Sequence, residues 1–489
     1  MRISITNHAF RTLLAALISA VCVVSVQAET LKTRIGDLSF TQNFADGYPT
    51  DATVEKLFNE MDFQRACQAY IWSIPIVSMA QWQYAHTEQL GAKNGQIVFV
   101  ESYKDKLGGL TFNATTPYVL PFIGLSKEPW VVVMPEPAGK VRGAAHDMWQ
   151  IGVTQITEPG KYLFVGPGQE VPKDAEKEGY KIFSPLTNNI LLGIRLMPVD
   201  KEERLKMLKM VDIYPYSERQ DPKPRGYITP NGKPWMAAAP MGMEYWQRLA
   251  DVLNSEPVAE RDRFFMAMLK PLGIEKGKPF KPTKQQTAIL TEAALVGEAM
   301  AKANDFLNPR LVDAHYLDGS HWEYATTSPP DQRREHYEAL DGRAAWLYEA
   351  VTNDIAMHGQ KTGKGQIYMA SYKDKDGDWL DGGKDYTLHI PADAPAEAFW
   401  SLTVYEVSTR TLINNKHEIA DRSSRMDLSM NKDGSVDLYI GPNKPQGDKG
   451  KNWIPTEAGR AWFPYFRLYS PKQAFLDHSW VLPDIEKVQ

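Results

Sequence analysis

Three groups of polar residues in this 489-residue chain could do chemistry. The first is the run His146-Asp147-Met148-Trp149-Gln150. An imidazole beside a carboxylate supplies two proton carriers for general acid–base catalysis, provided a cleft perturbs their pKa values. On a strand, side chains alternate, so His146, Met148 and Gln150 share one face while Asp147 and Trp149 share the other. The pair therefore converges only through a bulge. The catalytic reading makes Asp147 the acid or base, with Tyr118, His146 and Arg467 assisting. The competing reading makes His146 a hydrogen-bonded strand residue.

The second group, Asp374-Lys375-Asp376-Gly377-Asp378, crowds carboxylates into a turn, a density that can hold Ca²⁺ through oxygen ligands. An EF-hand loop needs Gly at its sixth position, whereas this segment has Gly at its fourth. A solvated turn is expected, with no metal and no cofactor. The third group is dispersed. Asn113, Trp400, Tyr405 and Asn415, with Trp453, Arg467 and Tyr469, offer aromatic faces, amides and one fixed cation, which suit a polar or anionic small molecule. The bland alternative puts Trp400 and Tyr405 in a core, Asn414 and Asn452 in turns, and Arg467 against a buried acid or carbonyl. Gly-x-Ser-x-Gly, His-Glu-x-x-His and Cys-x-x-Cys are all absent, which argues against an α/β serine hydrolase or a zincin.

These residues need elements to position them. Val54, Leu57, Phe58, Met61 and Phe63 fall at helical spacing, and the apolar run 66–79 continues a helix expected to break or kink near Ile74, ahead of Pro75. Short strands are expected at 97–103, 110–113, 130–134 and 162–165, spaced as in an antiparallel sandwich or barrel. A long loop over 214–235 leads to helices at 243–253 and 260–269. Thr283 caps a longer helix with Ile289, Leu290, Ala293, Val296 and Met300 on its apolar stripe, and another helix covers 341–357. Strands resume at 386–390, 399–405 and 436–440. The run Phe399 to Tyr405, aromatic and β-branched without a breaker, reads as a core strand.

The composition, 43% hydrophobic and 24% charged, is that of a globular protein, and the length calls for more than one core. Arg2 and Arg11, the apolar stretch 13–26 and the small residues Val26 and Ala28 make residues 1–28 a secretory signal peptide, cleaved after Ala28, so the mature chain is expected in the periplasm without membrane insertion. The net charge of −5 becomes more negative when those arginines leave, which argues against nucleic acid as a partner. Cys67 is then the one cysteine left, read as a small buried hydrophobe.

Two sets of motifs carry a family likeness. Phe399 to Tyr405, Leu412-Ile413-Asn414-Asn415, Asn431-Lys432-Asp433-Gly434-Ser435, Asn452-Trp453-Ile454-Pro455 and Arg467-Leu468-Tyr469-Ser470-Pro471 resemble the bacterial domain of unknown function numbered 1214, over most of 365–485. Tyr70 to Pro75, Asn113 to Tyr118, Glu128 to Pro135 and Leu163 to Pro167 are similar to its usual companion, numbered 1254. The resemblance implies two β-sandwich domains, the second jelly-roll-like, and an acid at Asp147; Thr115 stands where that family is expected to carry an Asp. The resulting expectation is an α+β fold, mainly β with α. Its parts are a polar arm at 29–50, an N-terminal β domain with a leading helix at 51–213, a loop and helical linking section at 214–335, and a C-terminal jelly-roll-like domain at 336–489. Functionally, the expectation is an exported protein binding a polar small molecule or envelope component, self-associating or not. A hydrolase centred on Asp147 is the alternative.

Overall fold

The computed structural model describes residues 28–136, 140–223, 225–307, 310–311, 314–359 and 362–488. The expected signal segment, Ala28 excepted, lies outside them. The chain forms two compact units, residues 1–61 and 62–489. In the first, the expected polar arm contains a hairpin. Thr30–Thr33 pairs antiparallel with Gly36–Ser39, Leu38 and Phe40 are buried, and Phe40 meets the Phe44 ring edge-on at 5.0 Å.

The helix Asp51–Tyr84 runs through Pro75 without the expected break. A proline inside a helix costs about 3 kcal/mol through a lost hydrogen bond and a ring clash. Here packing exceeds that local cost: from Ala66 to Trp82 every residue but Gln68 is buried. Tyr70 stacks on Tyr245 at 4.0 Å, Trp72 stacks on Phe265 at 4.9 Å, and Gln150 Nε2 donates to the Pro75 carbonyl. Met243–Ser255 and Arg263–Leu269 supply those partners, as the sequence led one to expect. Lys284–Phe306 starts at a Thr283 capping box, but its buried face is Leu290, Ala293, Ala294, Gly297 and Ala301, and Met300 turns outward. Small residues win that face because the helices touch: a Cβ on Gly297 would lie 2.5 Å from the Tyr70 ring. The helix expected at 341–357 ends at Glu349, and Ile355–His358 forms a separate 3-10 turn.

The N-terminal β domain has two sheets. One holds, in spatial order, Tyr227–Ile228, Ile97–Val100, Tyr118–Gly124, Asn189–Leu196, Val141–Asp147 and Gly152–Gln155; the other holds Asp212–Pro215, Trp130–Met134, Gly160–Phe164 and Tyr180–Phe183. Val119, Ile123, Ala145, Ile190, Leu192 and Ile194 of the first sheet pack with Val132, Tyr162 and Phe164 of the second. Residues 110–113 are not the expected strand. Their backbone groups are taken up by distant residues instead: Thr111 N–H donates to Arg410 O, Arg467 Nη2 donates to Thr111 O, and the Tyr405 hydroxyl donates to Phe112 O. The strand expected at 97–103 stops at Val100 because Ser102 opens a capping box for Tyr103–Lys106.

The C-terminal domain is likewise a sandwich. Trp322–Tyr324, Gln366–Ser371, Trp462–Pro471, Ala396–Glu406 and Asp421–Ser423 make one sheet; Trp453–Pro455, Val436–Gly441, Tyr386–Ile390 and Glu486–Lys487 make the other. Alternation divides the first sheet cleanly. Ile367, Met369, Trp400, Leu402, Phe466 and Leu468 take one face; Tyr368, Ser401, Arg467 and Tyr469 take the other, with Tyr368 opposite Arg467 and Ser401 opposite Arg467 in register.

One buried polar cluster bears on stability. Glu349 Oε1 accepts from the hydroxyls of Tyr372 and Tyr465, and burial pushes its carboxyl up to about 7. A carboxyl that holds its proton more tightly folded than unfolded adds stability at low pH, and that stability is lost as pH rises from the unfolded value near 4.5 to about 7. Glu349→Gln, whose amide oxygen can keep both bonds, is expected to flatten the fall in unfolding free energy over that window. Urea titrations of both proteins across the window check this; parallel pH profiles would refute it.

Candidate functional site

The polar face of the C-terminal five-stranded sheet and the second face of the N-terminal six-stranded sheet border a cavity of about 650 Å³. Tyr118, Arg195 and Arg142 sit side by side on three adjacent strands, in register. Two strand positions toward His146 lies the pair Gly193 and Ala144; two further lies the pair Leu191 and His146. From the C-terminal sheet come Tyr368, Arg467 and Tyr469, and from the long helix comes Trp82. Phe112, Leu120, Met197 and Met357 add apolar lining. Arg142, Glu158 and Lys364 are exposed and stand at the mouth.

The wall is rich in donors and poor in acceptors. Arg195 Nη1 donates to the Tyr469 hydroxyl at 2.8 Å, and its guanidinium carbon lies 4.9 Å from the Tyr118 ring centroid. Arg467 is buried behind it among the rings of Tyr368, Tyr405 and Tyr465, donates through Nη2 to Thr111 O, and leaves Nε and Nη1 without partners. Among the described residues no ion pair joins either guanidinium to a carboxylate. The Tyr118 hydroxyl accepts from Asn113 N–H, the Tyr469 hydroxyl accepts from Arg195, and the Tyr368 hydroxyl is unpartnered. Among the described residues all three phenolic hydrogens are thus without an acceptor. Burial raises the pKa of Tyr118 and of Tyr368, although Arg195 opposes both, so they remain neutral donors at ordinary pH.

A second polar station lies along the same sheet. His146, 2% exposed, is 3.1 Å through Nε2 from Asp354 Oδ2, and its Nδ1 has no partner among the described residues. Asp354 Oδ1 accepts from Gln155 Nε2 and Ala356 N–H. Burial alone would raise the Asp354 carboxyl, but the hydrogen bonds it accepts from His146, the Ala356 amide and Gln155 hold it below its ordinary value.

Residues 95–215 match the family model described as protein of unknown function DUF1254, and residues 365–473 match the one described as protein of unknown function DUF1214. The chain thus carries a DUF1254-like segment followed by a DUF1214-like segment. The DUF1254 segment supplies Tyr118, His146 and Arg195 to the cavity, and the DUF1214 segment supplies Tyr368, Arg467 and Tyr469. Tyr70 to Pro75 falls outside the matched segments, and the DUF1214 match ends at 473, short of the expected 485. In fold the chain is similar to the VPA0106 protein from Vibrio parahaemolyticus, at 20% identity and a TM-score of 0.53, covering 88% of this chain and 100% of that one. An uncharacterized protein from Burkholderia cenocepacia matches at 9% identity and a TM-score of 0.39, over 89% of this chain and 96% of its own. None of the curated proteins matches the chain.

Of the residues singled out in the sequence, Tyr118, His146, Arg467 and Tyr469 line one cavity. Asp147 does not. Its carboxylate turns from His146, as alternation requires, and Oδ1 accepts from the amides of Trp149 and Ile151, closing a turn. Burial still pushes its pKa up to about 6. Asp147→Ala should cost about 1–3 kcal/mol of stability by leaving buried amides unpaired, with cavity binding intact in the folded protein. Chemical denaturation beside a binding assay checks this; lost binding in a stable variant would restore the catalytic reading.

The remaining candidates are structural. Trp400 faces the sandwich core, and the Tyr405 hydroxyl bonds the carbonyls of Thr111 and Phe112. Asn113 caps a turn through the amides of Thr115 and Thr116 and donates to Ser401 Oγ. Asn415 holds the 413–419 turn, and Trp453 donates to Gly441 O in the other sheet. Thr115, standing for the expected acid, donates to Asp421 Oδ2. Asp374 Oδ1 accepts from the amides of Asp376 and Asp378, which makes that segment a turn. Arg195 and Tyr368 went unread in the sequence. The signal for Arg195 is a lone cation in the otherwise apolar strand Asn189–Leu196, at a position that a one-faced strand would leave to solvent.

Proposed function

We propose that this is an exported protein that binds a small organic oxyanion, a carboxylate or its sulfonate or sulfate equivalent, in the cavity between the two sheets. One observation carries the reading: Arg195 and three phenols line the same space with hydrogens to offer, while among the described residues no carboxylate pairs with the Arg195 or Arg467 guanidinium. A buried cation without a counter-ion is unfavourable unless an anion arrives. The apolar middle of the cavity suits a ligand with a hydrocarbon body, and its volume is that of a small-molecule site. Arg2, Arg11 and the apolar stretch after them support export to the periplasm.

A second reading, hydrolysis of the bound anion, is favoured by the His146–Asp354 pair, in which Asp354 orients the imidazole. Binding comes first in either case. The test is thermal denaturation of residues 29–489 with octanoate, octyl sulfate, glucose and CaCl₂. A ligand that binds only the folded state at a hundred times its Kd adds about 2.7 kcal/mol. Octanoate and octyl sulfate should raise the melting temperature by degrees and glucose should not; a flat response to both anions would reject the proposal.

A further inference from the structure

We infer that the ligand is two-ended, with a hydrogen-bond donor, a hydroxyl, at the end opposite its oxyanion, and that Nδ1 of His146 receives that donor. This rests on the oxyanion reading above and adds the chemistry of the other end.

The tautomer follows from the partners. Asp354 accepts through both oxygens, from Gln155 and Ala356 on Oδ1 and from His146 on Oδ2, so the imidazole nitrogen facing it carries the hydrogen. In the neutral imidazole Nδ1 is then a bare acceptor. It is enclosed, it has no partner among the described residues, and its ring belongs to the cavity wall. Buried acceptors of this kind are ordinarily paired. Around Arg195 and Arg467 the guanidinium and phenol hydrogens point to donation, with the Glu158 carboxylate exposed at the mouth; at His146 it is the ring nitrogen Nδ1 that accepts.

Register sets the distance between the ends. Arg195 pairs with Arg142 and Leu191 pairs with His146, four residues apart on the same two strands, which places the two stations roughly 13 Å apart along the sheet. The floor between them is Gly193 and Ala144. Gly193 leaves it open: a Cβ there would lie 3.9 Å from His146 Cε1. With Leu120 and Phe112 beside it, this is a trough for an unbranched hydrocarbon chain. The ligand class is a medium-chain carboxylate bearing a terminal hydroxyl.

The test is titration calorimetry of the whole mature chain with hexanoate, octanoate and decanoate, each beside its ω-hydroxy derivative and the dicarboxylate of equal length. In the wild type, the best-fitting hydroxy acid should bind about tenfold tighter than its parent, the effect of one added hydrogen bond. His146→Phe should erase that advantage while leaving the parent carboxylate bound. Should His146→Phe fail to fold, Asp354→Asn serves: its amide can donate to Nε2, moving the ring hydrogen to Nδ1 and reversing the preference toward the dicarboxylate. Carboxylates that bind without a hydroxyl preference, or a preference that survives both substitutions, would overturn this inference alone. A wild-type preference for the dicarboxylate would also overturn it, since Nδ1 would then be donating. Binding of none of the three series would overturn the oxyanion reading and this inference with it.

Discussion

Arg195→Met is expected to weaken carboxylate binding roughly ten- to a hundredfold while leaving the protein at least as stable as the wild type. The two effects have one cause. Arg195 gives one hydrogen bond to Tyr469 and stacks near Tyr118, but has no carboxylate partner, so without ligand its charge is only partly compensated. Arg195 is partly buried, and replacing a poorly compensated, desolvated charge with an apolar side chain of similar volume is often neutral or stabilising. Against a bound carboxylate, the same guanidinium supplies charge-assisted hydrogen bonds of about 1.5–3 kcal/mol, roughly ten- to a hundredfold in affinity. A lysine would not substitute, because the planar fork is lost. Melting curves and octanoate titrations of the two proteins decide it. A clear loss of stability would make Arg195 a structural residue, and unchanged affinity would remove it from the site.

Trp400→Ala is expected to do the reverse, lowering stability by about 3–5 kcal/mol without altering affinity in whatever remains folded. Trp400 is on the core face of its strand, stacked near Phe466, whose ring in turn stacks with Trp480. Its neighbours Phe399 and Ser401 face the other way. Since domains are typically stable by about 5–15 kcal/mol, a loss of this size consumes much of the margin. Denaturant unfolding measures the loss. A change under about 1 kcal/mol would contradict the packing described here, given the usual cost of removing a buried Trp.

Sequence legibility differed between the fold and the site. The strands around Phe399 to Tyr405 and 436–440 could be read because β-branched and aromatic runs end at turn residues, and Thr283 announced its helix because a side-chain cap is a local device. Pro75 signals a break only while its local cost is weighed apart from the packing that surrounds it, and 110–113 reads as a strand because its backbone partners lie 293 to 356 residues away in sequence, at Tyr405 and Arg467. Arg467 and Tyr469 could be read as site residues together, since they alternate on one strand face. The same alternation places Trp400 on the opposite face, and Trp453 belongs to another sheet altogether. Asp147 drew attention for its type, yet adjacent strand residues diverge, and the partner of His146 lies 208 positions away at Asp354. Arg195 needed the knowledge that both faces of its sheet are covered; on a sheet with one wet face it would be an ordinary surface arginine.

The most direct test of an oxyanion site between these sheets is a crystal structure of the mature chain grown with octanoate. The expected density places the carboxylate about 2.7–2.9 Å from the Arg195 guanidinium, within reach of the Tyr118 and Tyr469 hydroxyls, with the hydrocarbon chain lying over Gly193 toward His146. Octanoate held only at the mouth by Arg142 and Lys364, or an empty cavity at saturating octanoate, would contradict it.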